Sequence, residues 1–496
     1  MRRVGLLVGS DTTKAEADAG VKRFDTIAGF AVEATPSLLQ RLLTDPGVVS
    51  IEEDMLLAPN LSKSVPLIGG TALRTMGLTG KGYSIAVIDT GTDTKFDRKT
   101  NALIHPMLKA KVKAVGCYST TSIVGKTSSL CPGGVPESIG TFAGANCPLN
   151  IPGCDHGTHV AGIALGDMQS LKGVASGANL ISIQVFTKHN NPLDCKGTTT
   201  PCIRALSSDI VKGLERAKAL QSQFKIVAVN LSFGGGSYGT ACDSVAPVVT
   251  AAFNSVRAAG IAPIVSSGND STNGSISFPA CISTAIAVGS TTKVAPETVS
   301  TFSNHSEQVR LLAPGTGIIS AKANGKGQPQ TVAKSGTSMA APHVAGAFAL
   351  LKQAKPSASI DDILNALECT GKPITRLGVP KPRINLVAAR DFLVAGKPCS
   401  FDIVVLDSGN LKDDIFVIKV DGTEICRTPV GGRRECGIKG VGKGTHQLSV
   451  FVELAPDDLG TYTVTLGNTV KFSDGSSSKT GAPPEGTTDN FTIIVQ

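Results

Sequence analysis

Three short segments of the chain supply a carboxylate, an imidazole and a hydroxyl, in that order. Asp89 begins the segment DTG, His156 begins HGTHVAG, and Ser338 lies within GTSMAAP. A serine is a weak nucleophile at neutral pH unless a histidine takes its proton, and an aspartate behind the histidine can fix the tautomer and stabilise the imidazolium. The order Asp, His, Ser is one of three unrelated chain orders that give this geometry. The three segments together therefore predict acyl-transfer chemistry.

Ser338 also has a simpler interpretation. It precedes a run of small and apolar residues, 339–351, that predicts a helix. Serine is common at the N-cap of a helix, where its role is structural. A helix N-terminus also brings backbone N–H groups and a positive dipole end near an attacking oxygen. Because His156 and Asp89 occur in segments of their own, we favour the catalytic interpretation.

Two further histidines lie near these segments. His159 follows His156 by three residues and therefore lies near the same face of the predicted helix 156–165. A pair with this spacing could bind a metal, but no glutamate lies between the two histidines, as a zinc protease requires. We interpret His159 and His343 as packed structural residues.

Asn269 follows a predicted buried strand, 261–266, at the end where parallel sheets form their sites. Its side-chain amide could donate a hydrogen bond to an oxyanion, together with the backbone N–H of Ser338. The alternative is a structural turn, because Asn269-Asp270 is also favourable turn sequence.

Residues 232–236 end another apolar strand with small residues. An extended peptide could pair with Ser232, Phe233, Gly234 and Gly235, since glycines let a second backbone approach closely. The alternative is an ordinary glycine-rich loop. A phosphate-binding loop fits this segment poorly, because the spacing of its glycines and the helix that should follow are missing.

The elements that must position these residues alternate between about residues 65 and 395. Apolar strands are predicted at 84–88, 180–185, 226–232, 261–266 and 285–288, and helices at 208–220 and 247–259. Near-continuous apolar strands alternating with helices predict an α/β fold with a parallel sheet that is flanked by helices on both faces. Asp89 and Asn269 both come directly after a strand of this sheet.

A smaller domain is predicted on each side of this region. Residues 1–60 form a small α+β domain with strands at 24–32 and 48–54 and a helix at 36–43, followed by a linker at 60–66. Residues 400–496 form a C-terminal β-sandwich with strands at 401–406, 414–420, 446–452, 460–466 and 490–495. Residues 474–488 are rich in Gly, Ser and Pro and predict a flexible loop.

The twelve cysteines predict disulfide bonds and an oxidising compartment, because their number is even and no CxxC pair occurs. Buried free thiols are the alternative. Neighbour pairing predicts the bonds Cys195–Cys202, Cys242–Cys281, Cys369–Cys399 and Cys426–Cys436. The remaining four, Cys117, Cys131, Cys147 and Cys154, allow three connectivities, among which the sequence does not choose.

Composition excludes several classes of protein. The chain has 496 residues with 41% hydrophobic and 17% charged residues, which is typical of a globular protein with two or three domains. It has no Trp, four Tyr and a dispersed net charge of +8, which argues against a nucleic-acid partner. No run of eighteen apolar residues predicts a membrane span. The first ten residues do not make a signal peptide, so we expect that the natural start has been cut or misassigned.

Together these motifs resemble the subtilisin-like serine peptidases, and the resemblance covers residues 1 to about 395. The three segments around Asp89, His156 and Ser338 match the active-site signatures, and Asn269 in SGN matches the oxyanion amide. Residues 232–235 match the substrate-binding strand. The resemblance implies a secreted or periplasmic endopeptidase that is made as a self-processing zymogen, with residues 24–54 belonging to a propeptide that inhibits the enzyme and assists its folding.

The resemblance also implies a specificity pocket with Ser277 near its base, and a small residue there suggests a pocket for large apolar side chains. The stretch between Asp89 and His156 and residues 186–206 are interpreted as two disulfide-bearing insertions that could shape the cleft. We expect protein or peptide substrates and a monomer that requires no cofactor. The resemblance also implies a candidate structural calcium, since many relatives bind it for stability. The candidate ligands Asp407, Asn410, Asp413 and Asp414 favour turns in any case.

Two other functions remain as alternatives. A relative without activity could bind peptides only, although all four predicted catalytic positions are occupied. The chain could also serve mainly in adhesion through its β-sandwich, which matches no family signature.

Overall fold

The computed structural model describes residues 2–8, 22–23, 29–53, 61–93, 105–121, 126–195, 199–326, 328–395, 401–407, 414–428, 433–438, 444–455, 460–466 and 470–495. The chain divides into two compact units, Met1–Pro59 and Asn60–Gln496, which we describe separately.

The first unit contains an antiparallel sheet and one helix. Its elements are β1 Arg2–Val8, β2 Lys22–Arg23, β3 Gly29–Ala34, α1 Pro36–Leu43 and β4 Val48–Glu53. The strand order is β2-β3-β1-β4, and α1 begins where the Thr35 hydroxyl caps the Leu38 N–H. The predicted helix agrees with α1 and the second predicted strand with β4. The first predicted strand agrees with β3 over 29–32, and residues 24–28 lie outside the described part. Strand β1 was not predicted.

The second unit begins with a large α/β region. Its helices are α2 Leu61–Leu67, α3 Gly70–Thr75, α4 His156–Leu165, α5 Ser207–Phe224, α6 Pro247–Ala258, α7 Thr337–Ala354, α8 Ile360–Thr370 and α9 Leu386–Ala395. Among the described helices, none combines the length and apolar character needed to cross a bilayer.

The strands of this region are β5 Ser84–Asp89, β6 Val112–Tyr118, β7 Thr127–Ser128, β8 Glu137–Ser138, β9 Asp167–Met168, β10 Leu171–Lys172, β11 Asn179–Gln184, β12 Phe186–His189, β13 Cys202–Ala205, β14 Ile226–Leu231, β15 Gly235–Tyr238, β16 Ala262–Ser266, β17 Ile276–Phe278, β18 Ile286–Thr291, β19 Leu311–Pro314, β20 Ile318–Ala321, β21 Thr331–Lys334, β22 Lys372–Arg376 and β23 Val379–Arg383. Ten of them form one sheet in the order β22-β23-β19-β18-β16-β14-β5-β11-β6-β8.

Neighbours in this sheet are parallel from β23 to β6, and an antiparallel strand closes each edge. The central strands are apolar and buried throughout, as in β5. Helices α4, α7, α8 and α9 pack in the core on one face of the sheet, and α5 and α6 in the core on the other. The predicted α/β fold is confirmed.

One local prediction in this region was wrong. The predicted linker forms helix α2 from Leu61 onward, and Ser64 and Val65 are buried in the core. Burial of Val65 and of Ile68, which follows the helix, stabilises α2. The polar and helix-breaking residues of this segment predict a linker because they do not reveal this burial.

The C-terminal part is a β-sandwich. Its strands are β24 Phe401–Asp407, β25 Ile415–Val420, β26 Thr423–Arg427, β27 Arg433–Ile438, β28 Gly444–Leu454, β29 Tyr462–Leu466, β30 Val470–Phe472, β31 Ser478–Gly481 and β32 Thr488–Val495. They form antiparallel sheets in the orders β27-β24-β29-β31 and β26-β25-β28-β32-β30, which share one core. The loop predicted at 474–488 is wrong in part, since β31 pairs with β29.

Four disulfide bonds are described. Cys195–Cys202 and Cys242–Cys281 confirm the predicted pairs. The four cysteines whose connectivity the sequence left open pair as Cys117–Cys131 and Cys147–Cys154. Cys369 is also disulfide-bonded. Its predicted partner Cys399 and the side chains of Cys426 and Cys436 lie outside the described residues.

Candidate active site

Asp89 and His156 form a hydrogen-bonded pair at the carboxyl edge of the sheet. Asp89 is the last residue of β5 and is fully buried, whereas the His156 side chain, on the first residue of α4, is 23% exposed. His156 Nδ1 lies 2.9 Å from Asp89 Oδ1 and 3.1 Å from Oδ2. Because Nδ1–H donates to the carboxylate, Nε2 keeps its lone pair and can accept a proton.

Thr90 fixes the position of this pair, and sequence analysis did not single it out. Its N–H donates to Asp89 Oδ1 at 2.7 Å, and its hydroxyl accepts from Gly157 N at 3.0 Å. A Cβ at position 157 would lie 2.2 Å from the carbonyl oxygen of Gly91, so only glycine lets α4 begin this close to β5. Thr90 and Gly157 are part of the DTG and HGTH segments, but their structural roles depend on a contact between these segments that the sequence does not show.

The Cys147–Cys154 disulfide reinforces the same contact. The Thr90 hydroxyl donates to Cys154 O at 3.3 Å, and Cys147 N donates to Thr90 O at 3.0 Å. Asn146 Nδ2 donates to Cys154 O at 2.6 Å and to Gly91 O at 3.2 Å. The insertion thus connects the residues that follow Asp89 to those that precede His156.

Ser338 is the second residue of α7, and its hydroxyl donates to Ser232 O at 2.8 Å. Gly336 is the N-cap, so the alternative that Ser338 caps the helix is wrong. Helices α4, which begins at His156, and α7, which carries Ser338, pack against each other. Within the described residues, no hydrogen bond joins Ser338 Oγ to His156 Nε2, because the hydroxyl is oriented toward the carbonyl of Ser232.

Asn269 is held next to Ser338 by its neighbour in α7. Asn269 Oδ1 accepts hydrogen bonds from Thr337 N at 2.8 Å and from Thr337 Oγ1 at 2.9 Å. These bonds assign the amide orientation and leave Nδ2 as a donor beside the cavity that Asn269 and Ser338 both line. The predicted turn at Asn269-Asp270 is present as a bend, and it coexists with this orientation.

This cavity has a volume of about 420 Å³ and brings most of the predicted site residues together. Its lining comprises Phe233, Gly234, Gly235, Gly236, Ser237, Ser266, Gly268, Asn269, Asp270, Ser277, Thr337 and Ser338. Ser232 lies behind the lining and is buried. Gly235 pairs with Phe278 between β15 and β17. Of the segment predicted to pair with a peptide, residues 232–234 therefore lie outside the described strands.

Ser277 is buried in β17, where its hydroxyl lies 3.3 Å from Asn304 Nδ2 and 3.5 Å from Asp270 Oδ2. Asn304, which the sequence did not reveal, also accepts from Asp270 N at 2.8 Å through Oδ1. Gly268 has φ +110°, and a Cβ there would lie 2.3 Å from both Ser277 Oγ and Asn304 Nδ2. The base of the cavity is therefore a tightly packed polar cluster.

A second cavity of about 970 Å³ adjoins the first at residues 234–236. Its other wall is the hairpin of β12 and β13, closed by Cys195–Cys202, which contributes Phe186, Leu193 and Ile203. The Phe186 and Phe233 rings meet edge to face with centroids 5.4 Å apart. The predicted second insertion thus borders the same cleft.

The two other histidines are packed structural residues, as predicted. His159 Nε2 donates to Val332 O at 3.0 Å, and burial lowers the pKa of His159 to about 3. His343 Nδ1 donates to Met339 O at 2.8 Å and its Nε2 accepts from Ser64 Oγ at 3.0 Å. Burial lowers the pKa of His343 to about 4.

Among the described residues, no cluster of three or more His, Cys, Asp or Glu side chains is arranged to bind a metal ion. The predicted calcium ligands are only partly described. Asp414 is buried, Asp407 ends β24, and Asn410 and Asp413 lie outside the described residues. The calcium site therefore stays a prediction.

Comparisons with known proteins show which family the chain resembles. The model of the Subtilase family matches residues 80–381. An alkaline protease of Alkalihalobacillus alcalophilus is 32% identical over 354 residues, which cover 70% of this chain and 75% of that protein. An extracellular serine proteinase of a Thermus species is 31% identical over 352 residues, or 69% and 70% of the two chains. A solved protease of Pseudoalteromonas arctica is 23% identical with a TM-score of 0.49, covering 65% of this chain and 93% of its own.

Proposed function

The chain belongs to the subtilase family and is a subtilisin-like serine endopeptidase, and from this premise we propose that Asp89, His156 and Ser338 are its catalytic triad. The observation that carries the proposal is the hydrogen bond from His156 Nδ1 to the buried Asp89 carboxylate, at 2.9 Å. It leaves His156 Nε2 as a base at the first turn of a helix that packs against the helix of Ser338.

The reaction begins when Ser338 Oγ turns from Ser232 O toward His156 Nε2. Oγ attacks the peptide carbonyl carbon as its proton passes to Nε2, and the carbonyl electron pair moves onto oxygen. Asn269 Nδ2 and the Ser338 backbone N–H donate to this oxyanion. Collapse of the intermediate breaks the C–N bond, and His156 returns the proton to the leaving amine. Water then hydrolyses the acyl-enzyme by the same steps, and Ser338 is regenerated.

Asp89 stabilises the imidazolium that forms during both steps. Its carboxylate is fully buried. It accepts hydrogen bonds from His156 Nδ1 and Thr90 N, so these protein groups take the place of water as donors. A fixed negative charge in a site that excludes water stabilises a developing positive charge strongly. The same contact keeps the imidazole in the tautomer that the reaction requires.

The substrate main chain pairs with residues 232–234, which lie outside the strand ladders of the described sheets. The side chain before the scissile bond enters the cavity of about 420 Å³ that ends at Ser277. Residues further toward the substrate N-terminus extend into the second cavity below the β12–β13 hairpin. No cofactor takes part in these steps, the enzyme acts as a monomer, and a structural calcium would contribute to stability alone.

Residues 1–60 act as an intramolecular inhibitor and folding aid that the enzyme removes itself. We predict that the cut lies between about Met55 and Leu67. We narrow it to residues 55–60, because α2 begins at Leu61 and its Ser64 hydroxyl donates to the buried His343. Disulfide bonds in the second unit support an oxidising destination, secreted or periplasmic.

The proposal is tested by producing wild type and Ser338→Ala with a secretion signal. Wild type should remove its N-terminal unit and then cleave casein, and phenylmethylsulfonyl fluoride should add one sulfonyl group to Ser338. The Ala variant should keep its full length and take up no reagent, although added wild type should process it. Equal processing of the purified Ala variant would disprove self-maturation. A wild type that cleaves no unfolded protein would disprove the assigned triad.

A further inference from the structure

An ion pair connects the two chain segments that lead into the base and into the nucleophile. Lys334 Nζ lies 2.8 Å from Asp155 Oδ2. Asp155 comes directly before His156, and Lys334 is the last residue of β21, four positions before Ser338. The Lys334 and Asp155 side chains are 24% and 30% exposed, so solvent reaches the pair only in part. The mechanism described above does not use this contact.

Asp155 does not use its carboxylate in the way that is usual at its position. It occupies the N-cap of α4, where an aspartate commonly accepts a hydrogen bond from the first turn, but its side chain makes no such bond. Burial would raise the pKa of Asp155, but the hydrogen bond and the charge of Lys334 outweigh burial and lower this pKa. The carboxylate therefore stays ionised at neutral pH and contacts β21 instead of capping α4.

The hairpin of β20 and β21 holds the first turn of α4 at two further points. His159 Nε2 donates to Val332 O at 3.0 Å, and Ser320 Oγ donates to His159 O at 2.8 Å. The side chains of His159 and Ser320 are buried, whereas the ion pair is partly exposed and involves the residue that precedes His156. The hairpin thus holds this turn from its buried side and from its exposed side.

The separation of His156 and Ser338 depends on the elements that carry them. In the part of the chain that the structure describes, no hydrogen bond joins the two side chains, because Ser338 Oγ donates to Ser232 O. Strand β21 contacts the turn of His156 and continues through the N-cap of α7 to Ser338. Since a small displacement of a catalytic group is costly in rate, this connection is a means of setting the distance between base and nucleophile.

The titratable groups near His156 come from its own helix and from two strands. They are Asp89 on β5, Asp155 and His159 on α4, and Lys334 on β21. Burial lowers the pKa of His159 to about 3, so this side chain is neutral. Helix α7 has no lysine, arginine or carboxylate before Lys352, near its C-terminal end. Asp155 and Lys334 therefore supply opposite charges that nearly cancel beside the base.

We propose that Lys334 and Asp155 are positioning residues whose ion pair holds His156 in place relative to Ser338 and balances the charge beside it. This inference rests on the proposed function, since it takes His156 as the base and Ser338 as the nucleophile. Loss of either partner displaces the first turn of α4, which lowers kcat. It also leaves one charge unbalanced, which changes the pH at which His156 gains its proton.

The test measures kcat and the pH profile of kcat/KM on one uncharged peptide for wild type, Lys334→Met, Asp155→Asn and the double variant. Each single variant should lose kcat by about threefold, within the range of a partly exposed ion pair. The double variant should lose no more than either single variant, because both remove the same contact.

The acid limb of the kcat/KM profile reports the protonation of the base in the free enzyme. Lys334→Met should move its midpoint upward by about half a pH unit, because the unpaired Asp155 carboxylate stabilises the imidazolium. Asp155→Asn should move it downward by a similar amount, because the Lys334 ammonium remains. The double variant should return close to wild type, and 1 M NaCl should reduce both shifts. Misfolding does not produce shifts of opposite sign.

Lys172→Met is the matched control, since it breaks an ion pair with Asp167 just beyond the other end of α4. That end lies about 15 Å from His156, farther than charges act at 0.1 M salt, so kcat and the acid limb should not change. The inference is overturned if the single variants keep the kcat of wild type, or if their acid limbs do not move in opposite directions. A wild type that cleaves no peptide, or a fully active His156→Ala variant, would instead contradict the proposed function.

Discussion

Ser232 and Ser338 are joined by two reciprocal hydrogen bonds. Ser338 Oγ donates to Ser232 O at 2.8 Å, and Ser232 Oγ donates to Ser338 O at 2.9 Å. Asn230 lies two residues before Ser232, and its Nδ2 donates to Ser232 Oγ at 2.8 Å. The residue that begins the substrate-binding segment thus fixes the backbone of the nucleophile and also holds its hydroxyl in the resting state.

Ser232→Ala should therefore impair catalysis without touching the triad. It removes the bond to Ser338 O and leaves the buried Asn230 amide without its acceptor, so we expect a loss of about 1 kcal/mol in the free energy of unfolding. We also expect kcat to fall by roughly tenfold, because small misplacement of a nucleophile is costly. Ser232→Thr, which retains the hydroxyl, is the control. Unchanged kcat in the Ala variant would show that the reciprocal bonds do not position Ser338.

Asn269→Ala tests the oxyanion donor. In subtilisin, loss of one such donor lowers turnover on the order of 10²–10³, and we expect the same scale here with little change in KM. Asn269 also anchors Thr337, so its loss could act through α7. Thr337→Val is the matched control, since it removes the Thr337 Oγ1–Asn269 Oδ1 bond of 2.9 Å and keeps the amide. If both variants lose equal activity, the role of Asn269 is structural rather than catalytic.

The sequence predicted the sheet and the helices of the site well because their signals are local. Strand β5 is apolar at four of its six positions and ends at Asp89, and α4 begins at His156 as expected. Periodicity and small-residue patterns determine such elements directly. The three signatures carry the same kind of local information, which is why the sequence alone indicates the family.

The features that the sequence did not predict depend on contacts between distant residues. Asn304 reaches Asp270 across 34 positions, and Ser232 meets Ser338 across 106. Helix α2 lacks a helical sequence pattern and is stabilised by burial of Val65 and by the bond between Ser64 and His343. Strand β31 required β29 as its partner, since its own composition is typical of a loop. Tertiary packing overrides local propensity in each case.

The disulfides Cys147–Cys154 and Cys117–Cys131 should separate stability from activity. Replacing the cysteines of either pair with serine removes a constraint on the unfolded chain, worth roughly 2 kcal/mol for the shorter loop and 3 kcal/mol for the longer one. Of these two pairs, Cys147–Cys154 is the one next to Thr90, because the Thr90 hydroxyl donates to Cys154 O. The Thr90 N–H in turn donates to Asp89. We therefore expect the Cys147→Ser, Cys154→Ser variant to lose kcat by about tenfold at a temperature where it is folded.

The Cys117→Ser, Cys131→Ser variant is the control and should keep its kcat despite the larger loss of stability. Urea unfolding of both double variants and initial rates on one peptide substrate measure the two effects. A loss of activity that follows stability in both variants would contradict a specific effect of Cys147–Cys154 on the Asp89–His156 pair.

Acid should destabilise the enzyme in a pH range set by its buried histidines. Burial lowers the pKa of His343 to about 4, whereas the unfolded chain titrates near 6.5. Between these values the unfolded state binds more protons, so unfolding becomes easier as the pH falls. The contribution of His343 is complete above about pH 6.5 and is lost toward pH 4, with a total of about 3 kcal/mol at most. His159, with its pKa lowered to about 3, acts in the same direction.

Urea unfolding of Ser338→Ala from pH 7.5 to 4.5 measures this effect without self-digestion. His343→Gln in the same background should be less stable at pH 7.5, because the bonds to Met339 O and Ser64 Oγ are disturbed. Its free energy of unfolding should nevertheless fall less steeply with decreasing pH, since glutamine takes up no proton. Because the comparison concerns the slope and not the level, a general loss of packing does not mimic it. Equal slopes in the two proteins would show that His343 does not set the acid limit.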